Sequence, residues 1–180
     1  VITTNAGLWR YLIGDIIEFT NINPYRIKIT GRTKSFINTF GEELMVHNSD
    51  NAIKNACEKY NCSINEYTVA PIFANDKSGG HQWLIEFVKK PLSLDLFMKE
   101  IDTHIKKSNS DYEAKRTNDL VLKFPEIIVI ENNEFYIWLK EYNRLGGQYK
   151  IPRLTNNREI ADRILSIQKK FSTKPTTNLK

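Results

Sequence analysis

The hydrophobic pattern of this 180-residue chain breaks near Gly41, from nearly all strand before it to strand and helix in alternation after it, and that break constrains the fold more than any other feature. Before it the chain reads almost wholly as strand. Residues 1–4, 8–13 and 15–20 are rich in β-branched and aromatic side chains and are broken at Gly7 and Gly14. Turns are expected at those glycines and at Asn23-Pro24. From Tyr25 the alternation is strict, with Tyr25, Ile27 and Ile29 on one face and Arg26, Lys28 and Thr30 on the other. This predicts a half-buried strand ending at Gly31.

After Gly41 the period becomes helical. Ile53, Ala56, Cys57 and Tyr60 recur at i, i+3, i+4 and i+7 behind the capping candidates Asn48 and Ser49, which predicts a helix of about three turns. Strands over 67–73 and 81–88 are expected to pair across the turn Asp76-Lys77-Ser78-Gly79-Gly80, and Pro91 closes that segment. Leu94, Phe97, Met98, Ile101 and Ile105 trace a second helical face with Ser93 as N-cap, and a buried strand over 127–130 follows Pro125. Phe135, Trp138, Leu139 and Tyr142 make a third amphipathic helix closed by Gly146-Gly147, and a last helix is expected over 158–167. The predicted fold class is α+β: N-terminal β-strands, then a small C-terminal domain of mixed sheet flanked by helices. The composition break at residues 34–41 places a domain boundary or hinge there.

A chain of 21.0 kDa with 41% hydrophobic and 11% aromatic residues can bury a core, and its apolar runs are too short to span a bilayer, so a globular body without membrane partners is expected. The net charge of +5 could suggest nucleic acid, but much of the excess lies at Lys169, Lys170, Lys174 and Lys180, and no acidic residue follows Asp162. A polar tail of that kind is a solvated terminus. The two cysteines, Cys57 and Cys62, read as free thiols in a reducing cytoplasm. Val1-Ile2-Thr3-Thr4 reads as a strand entered mid-stride without an initiator Met, so the chain is expected to be part of a longer protein.

Three places could carry chemistry. In Tyr11-Leu12-Ile13-Gly14-Asp15 a glycine turn presents one carboxylate at a strand start, fit either to accept from two ribose hydroxyls or to bond its own backbone. In Ile29-Thr30-Gly31-Arg32-Thr33-Lys34, followed by Gly41-Glu42, a strand runs into a turn with two cations; Arg32 could grip a phosphate or sit in solvent. In Leu145-Gly146-Gly147-Gln148-Tyr149-Lys150-Ile151-Pro152-Arg153 a glycine-rich loop carries Lys150, which could swing into a site or lie exposed on the surface. His47, His81 and His104 are scattered, without acidic or cysteine partners at ligand spacing, so no metal site is expected. The GxSxG, Walker and GxGxxG motifs are absent.

The order of these candidates resembles that of adenylate-forming enzymes. Ala6-Gly7-Leu8-Trp9-Arg10-Tyr11-Leu12-Ile13-Gly14-Asp15 is similar to a signature of the Gretchen Hagen three, auxin-responsive family of acyl-acid amido synthetases. Four later segments agree: Gly79-Gly80-His81-Gln82-Trp83-Leu84-Ile85-Glu86-Phe87; Asn109-Ser110-Asp111-Tyr112; Glu134-Phe135-Tyr136-Ile137-Trp138-Leu139; and residues 146–153. The resemblance covers about residues 1–155 and implies the C-terminal part of such an enzyme.

The resemblance further implies that residues 1–40 are terminal strands of the large adenylating domain with its hinge, 41–168 the C-terminal mobile domain, and 169–180 a basic tail. On this implication Asp15 holds the ribose hydroxyls of ATP, Arg32 lies near the nucleotide, Lys34 is the pivot, and Lys150 enters the site during adenylation, with Mg2+ accompanying pyrophosphate. The resemblance also implies a small carboxylic acid and an amine or amino acid as substrates, and a fragment that is inactive by itself. Gly31-Arg32-Thr33-Lys34 and Gly41-Glu42 read more like the general adenylate-forming hinge than the plant amido synthetase version. Two other readings stand beside it. One is a ligase that passes the acyl group to coenzyme A; the other is a basic nucleic-acid-binding module built on Lys106, Lys107, Lys115 and Arg116 with Tyr112, residues read otherwise as a solvated helix end.

Overall fold

The computed structural model describes residues 1–11, 13–32, 36–75, 78–131, 133–142 and 150–172. Its strands fall into two small ribbons and one central sheet. Strands β1 (Asp15–Ile22) and β2 (Tyr25–Arg32) pair antiparallel about the Asn23-Pro24 turn. Strands β3 (Phe36–Ile37) and β4 (Leu44–Met45) form a two-rung ladder, and helix α1 (Val46–Tyr60) begins directly from β4. Strands β5 (Ser63–Asn75) and β6 (Ser78–Lys89) follow as an antiparallel pair. Helices α2 (Leu94–Ser108) and α3 (Ser110–Arg116) then carry the chain to β7 (Glu126–Ile130), which pairs parallel with β6. Helices α4 (Glu134–Glu141) and α5 (Glu159–Ser172) complete the order. The fold is the expected α+β one.

The central sheet, in the order β5-β6-β7, is covered on both faces. Because side chains alternate along a strand, His81, Trp83 and Ile85 of β6 point one way and Gln82, Leu84 and Glu86 the other. Trp83 and Ile85 join Tyr67 and Val69 of β5 in a core closed by α1, α2 and α3 through Ile53, Phe97, Ile101 and Tyr112. Tyr67 and Trp83 stack at 5.8 Å. Leu84 joins Ala70 and Ile130 in a second core closed by α4 and α5 through Trp138 and Ile164. Gly79 is required where these layers meet, because a Cβ there would lie 1.9 Å from the Ile72 carbonyl oxygen.

Several expectations change. The segments 1–4 and 8–11 form no strand ladder but a single isolated bridge, in which Ile2 and Tyr11 exchange two backbone hydrogen bonds of 2.8 Å, with Thr4 N–H donating to the Leu8 carbonyl at 2.9 Å. The apolar face of β2 is not half-buried: Tyr25 is 78%, Ile27 56% and Ile29 62% exposed, since no described residue covers them. The N-cap of α1 is Met45, not Asn48 or Ser49, and Asn48 closes the cap from the third helical position. The helix starts two residues earlier because β4 feeds straight into it, and Asn48 Oδ1 accepts instead from the Met45 backbone N–H at 3.1 Å. The turn expected at Asn109-Ser110-Asp111-Tyr112 opens helix α3, with Asn109 as its N-cap. Ser93 caps α2 as expected, both cysteines are free thiols, and burial with Cys62 alongside pushes the Cys57 thiol up to about 12. The closing glycines Gly146-Gly147 and residues 173–180 lie outside the described residues.

Candidate active site

Asp15 and Arg32 occupy the same end of the β1–β2 ribbon. Gly14 turns the chain in the left-handed region (φ 80°), β1 starts at Asp15, and the antiparallel register sets Asp15 opposite Arg32, the last residue of β2. Two candidates separated by 17 positions in sequence become cross-strand neighbours, with Asp15 half-buried. The register thus brings an Asp and an Arg position to one ribbon end, residue types that suit hydroxyls and phosphate. Lys34 lies outside the described residues.

Lys150 is exposed at the head of a segment fixed to β5. Ile151 is only 3% exposed in the core, the Thr68 hydroxyl donates to the Pro152 carbonyl at 2.7 Å, and the Val69 N–H donates to the Arg153 carbonyl at 2.8 Å. Thr155 N–H returns a bond to the Val69 carbonyl at 3.0 Å, so this segment lies beside β5 as a short parallel edge. Arg153 pairs with Glu66 and lies over the Tyr67 ring, 4.4 Å from its centroid. Burial pushes the Glu66 carboxyl up, beyond what the adjacent Arg153 charge recovers. Tyr67 donates in turn to Asp50 on α1.

A second polar centre was missed in the sequence. Gly41 (φ 83°) and Glu43 (φ 41°) are both left-handed, and the turn between β3 and β4 drives the Glu42 side chain inward. Glu42 is 0% and His81 1% exposed, with Glu42 Oε1 2.8 Å from His81 Nε2. Phe40 N–H donates to Glu42 Oε2 at 2.7 Å. Burial alone would raise the Glu42 carboxyl, but the hydrogen bond and charge of His81, with the Phe40 amide, hold it below the ordinary range. Asn109 Nδ2 donates to the carbonyls of Glu42 and Glu43, both at 3.1 Å, so the same side chain caps α3 and holds this turn. The sequence signal was the placing of His81 in phase with Trp83 and Ile85, which demanded a buried partner. Sealed from solvent, the pair fastens the turn to β6 instead of meeting a ligand.

Arg116 is likewise not a solvated helix end. It is 6% exposed and forms a bidentate pair with Asp102 (Nε to Oδ1 2.8 Å, Nη2 to Oδ2 3.2 Å), with further bonds to Asp119 and the Leu122 carbonyl. Lys106 closes on the same Asp102 at 2.8 Å. Two of the four cations of the nucleic-acid reading are thus neutralised within the fold. No group of three His, Cys, Asp or Glu fit to hold a metal occurs among the described residues. No described helix is long and apolar enough to cross a membrane.

Comparison with known families gives a match to the GH3 family C-terminal domain over residues 47–159, more than half of the chain. The chain belongs to the GH3 family. Residues 1–32, which hold Asp15 and Arg32, match the GH3 family central domain. Among solved structures, the GH3 chain is similar to a GH3.15 acyl acid amido synthetase, with TM-score 0.71 and 24% identity over 91% of this chain and 32% of that one. It is equally similar in fold to the AtGH3.15 acyl acid amido synthetase in complex with 2,4-DB, with TM-score 0.71 and 22% identity over 91% of this chain and 31% of that one. At such identities the likeness is one of fold, and this chain spans about a third of their length. No curated protein matches it.

Proposed function

We propose that this chain is the C-terminal portion of an ATP-dependent acyl acid amido synthetase, which adenylates a small carboxylic acid and passes the acyl group to an amine or amino acid. The observation that carries the reading is the pairing of Asp15 with Arg32 within the segment matched to the GH3 central domain, on a chain whose remainder matches the C-terminal domain. The names of the similar structures support the reaction class. The proposed division is 1–40 as strands of the adenylating domain with its hinge, 41–168 as the mobile domain and 169–180 as a basic tail, in a cytoplasmic enzyme.

The residues fit a nucleotide in part. The Asp15 carboxylate accepts from the vicinal ribose hydroxyls, and Arg32 offers a forked cation to phosphate oxygens. Lys34 is the pivot of the domain movement. Lys150, carried in by that movement, places its ammonium where the carboxylate attacks the α-phosphate and offsets the charge that develops there, then withdraws before the amine arrives. Among the described residues no group of three carboxylate, His or Cys ligands is assembled, most of the contacts to ATP and Mg2+ are assigned to the larger adenylating domain, and no step is routed through the ion.

The test is acid-dependent pyrophosphate release by the full-length ligase, with a panel of carboxylic acids and amino acids. Lys150→Ala is expected to lower release by roughly 10²-fold or more, and the wild type to yield an amide. Unchanged release in the variant overturns the assignment of Lys150. A coenzyme A thioester in place of the amide overturns the reaction class.

A further inference from the structure

We infer that Arg153 is a positioning residue for Lys150, and that with Thr68 and Glu66 it forms a clamp that aims the lysine from the edge of β5. The inference rests on the reading of Lys150 given above. Lys150 itself is exposed, and its polar head gains nothing from the core; what can fix its direction is the backbone that follows it. That backbone is held at three successive points: Ile151 by burial, Pro152 by the Thr68 hydroxyl at 2.7 Å, and Arg153 by the Val69 amide at 2.8 Å. Pro152 adds a fixed φ between the lysine and its anchor.

The Arg153 side chain then locks the register of this seam. Its guanidinium is paired with Glu66 at the edge and stacked 4.4 Å from the centroid of Tyr67, whose hydroxyl donates to Asp50 on α1. Arg153 Nε also lies 3.9 Å from Asp50 Oδ1. One side chain therefore spans β5, α1 and the segment bearing Lys150. A forked cation on an aromatic face loses less freedom on ordering than a lysine in that place, which is the property a clamp needs. Glu66 is retained as a half-buried carboxylate although burial disfavours its charge, and holding Arg153 accounts for it. Because Lys150 lies only three residues from this anchor, a shift of about 1 Å in the seam reaches its ammonium, and misplacement of that size costs roughly 10²-fold in rate.

Two measurements test the clamp. In the 180-residue chain, amide hydrogen exchange at Val69 and Thr155, whose N–H groups bond across the seam, is expected to quicken by about tenfold in Arg153→Ala, while amides of α2 keep their rates. Unchanged exchange at both amides overturns the clamp. In the full-length ligase, Arg153→Ala and Thr68→Val are expected to lower kcat for acid-dependent pyrophosphate release by about 10- to 100-fold with KM for ATP within about twofold, and Arg153→Lys to restore only part of it. The deciding variant is Lys150→Ala with Arg153→Ala: it is expected to be no slower than Lys150→Ala alone, because Arg153 acts through the lysine. Multiplied losses overturn the clamp and leave the role of Lys150 standing. Full activity in Lys150→Ala, by contrast, overturns the reading of the site and the clamp with it.

Discussion

The β1–β2 ribbon and the central sheet are made from the same kinds of residues and end in opposite environments. Ile17, Phe19 and Ile22 of β1 and Tyr25, Ile27 and Ile29 of β2 are exposed although they pair across the ribbon, where Phe19 also meets Tyr25 edge-on at 5.8 Å. In β6 every residue from Ser78 to Glu86 is buried, polar ones included. The difference is cover. Two helical layers close on the central sheet, whereas the described residues place nothing on the ribbon's apolar side. Alternation tells which side chains share a face and says nothing of what meets that face.

Core truncation sharpens the comparison most. Trp83→Ala removes a fully buried indole packed on Tyr67 at 5.8 Å, and is expected to destabilise the chain by about 3–5 kcal/mol in chemical denaturation. A loss below about 1 kcal/mol would show that the two faces differ less than their burial indicates.

Acid comes next and acts on the buried turn. The Glu42 carboxyl lies below its ordinary value of 4.5, so the unfolded chain binds this proton more readily than the fold does. The stability it contributes is therefore complete above 4.5 and is lost as pH falls through the lowered value. Asp102, which burial would raise but which Arg116, Lys106 and Tyr112 hold below its ordinary 3.8, acts with the same sign. Thermal melts from pH 6 to pH 2 are expected to show a steeper fall for wild type than for Glu42→Gln; parallel curves would remove Glu42 from this role. The smallest effect belongs to the ribbon. Ile27→Ser, at a side chain 56% exposed, is expected to change stability by no more than about 0.5 kcal/mol in chemical denaturation. A larger loss would mean that the ribbon face is covered in the isolated chain.

Most elements were legible because their signals are local. Leu94, Phe97, Met98, Ile101 and Ile105 form one face of α2 under the Ser93 cap, β6 ends before Pro91 and β7 follows Pro125 as read. Errors arose where a local signal had two uses. Asn48 and Asn109 are both side chains fit to cap a helix; Asn109 does so as the N-cap of α3, while Asn48 lies inside α1 and accepts from the backbone N–H of its N-cap, Met45, the last residue of β4. Arg116 was read as solvated because charge at a helix end is usually so, and the residue that reverses this, Asp102, lies 14 positions away.

The site divides in the same manner. The sequence alone determined the order of β1, β2, α1, β5, β6, α2, β7, α4 and α5, the identity of Asp15, Arg32 and Lys150 as candidates, and the family, since each depends on residues a few positions apart or on motifs read in succession. Only the tertiary structure decided that Asp15 faces Arg32, that Glu42 lies against His81 across 39 positions, and that Arg153 reaches Glu66 across 87. A buried charge must find a partner, but which partner it finds depends on how layers pack and strands register, and those choices are made by long-range burial that no local pattern records.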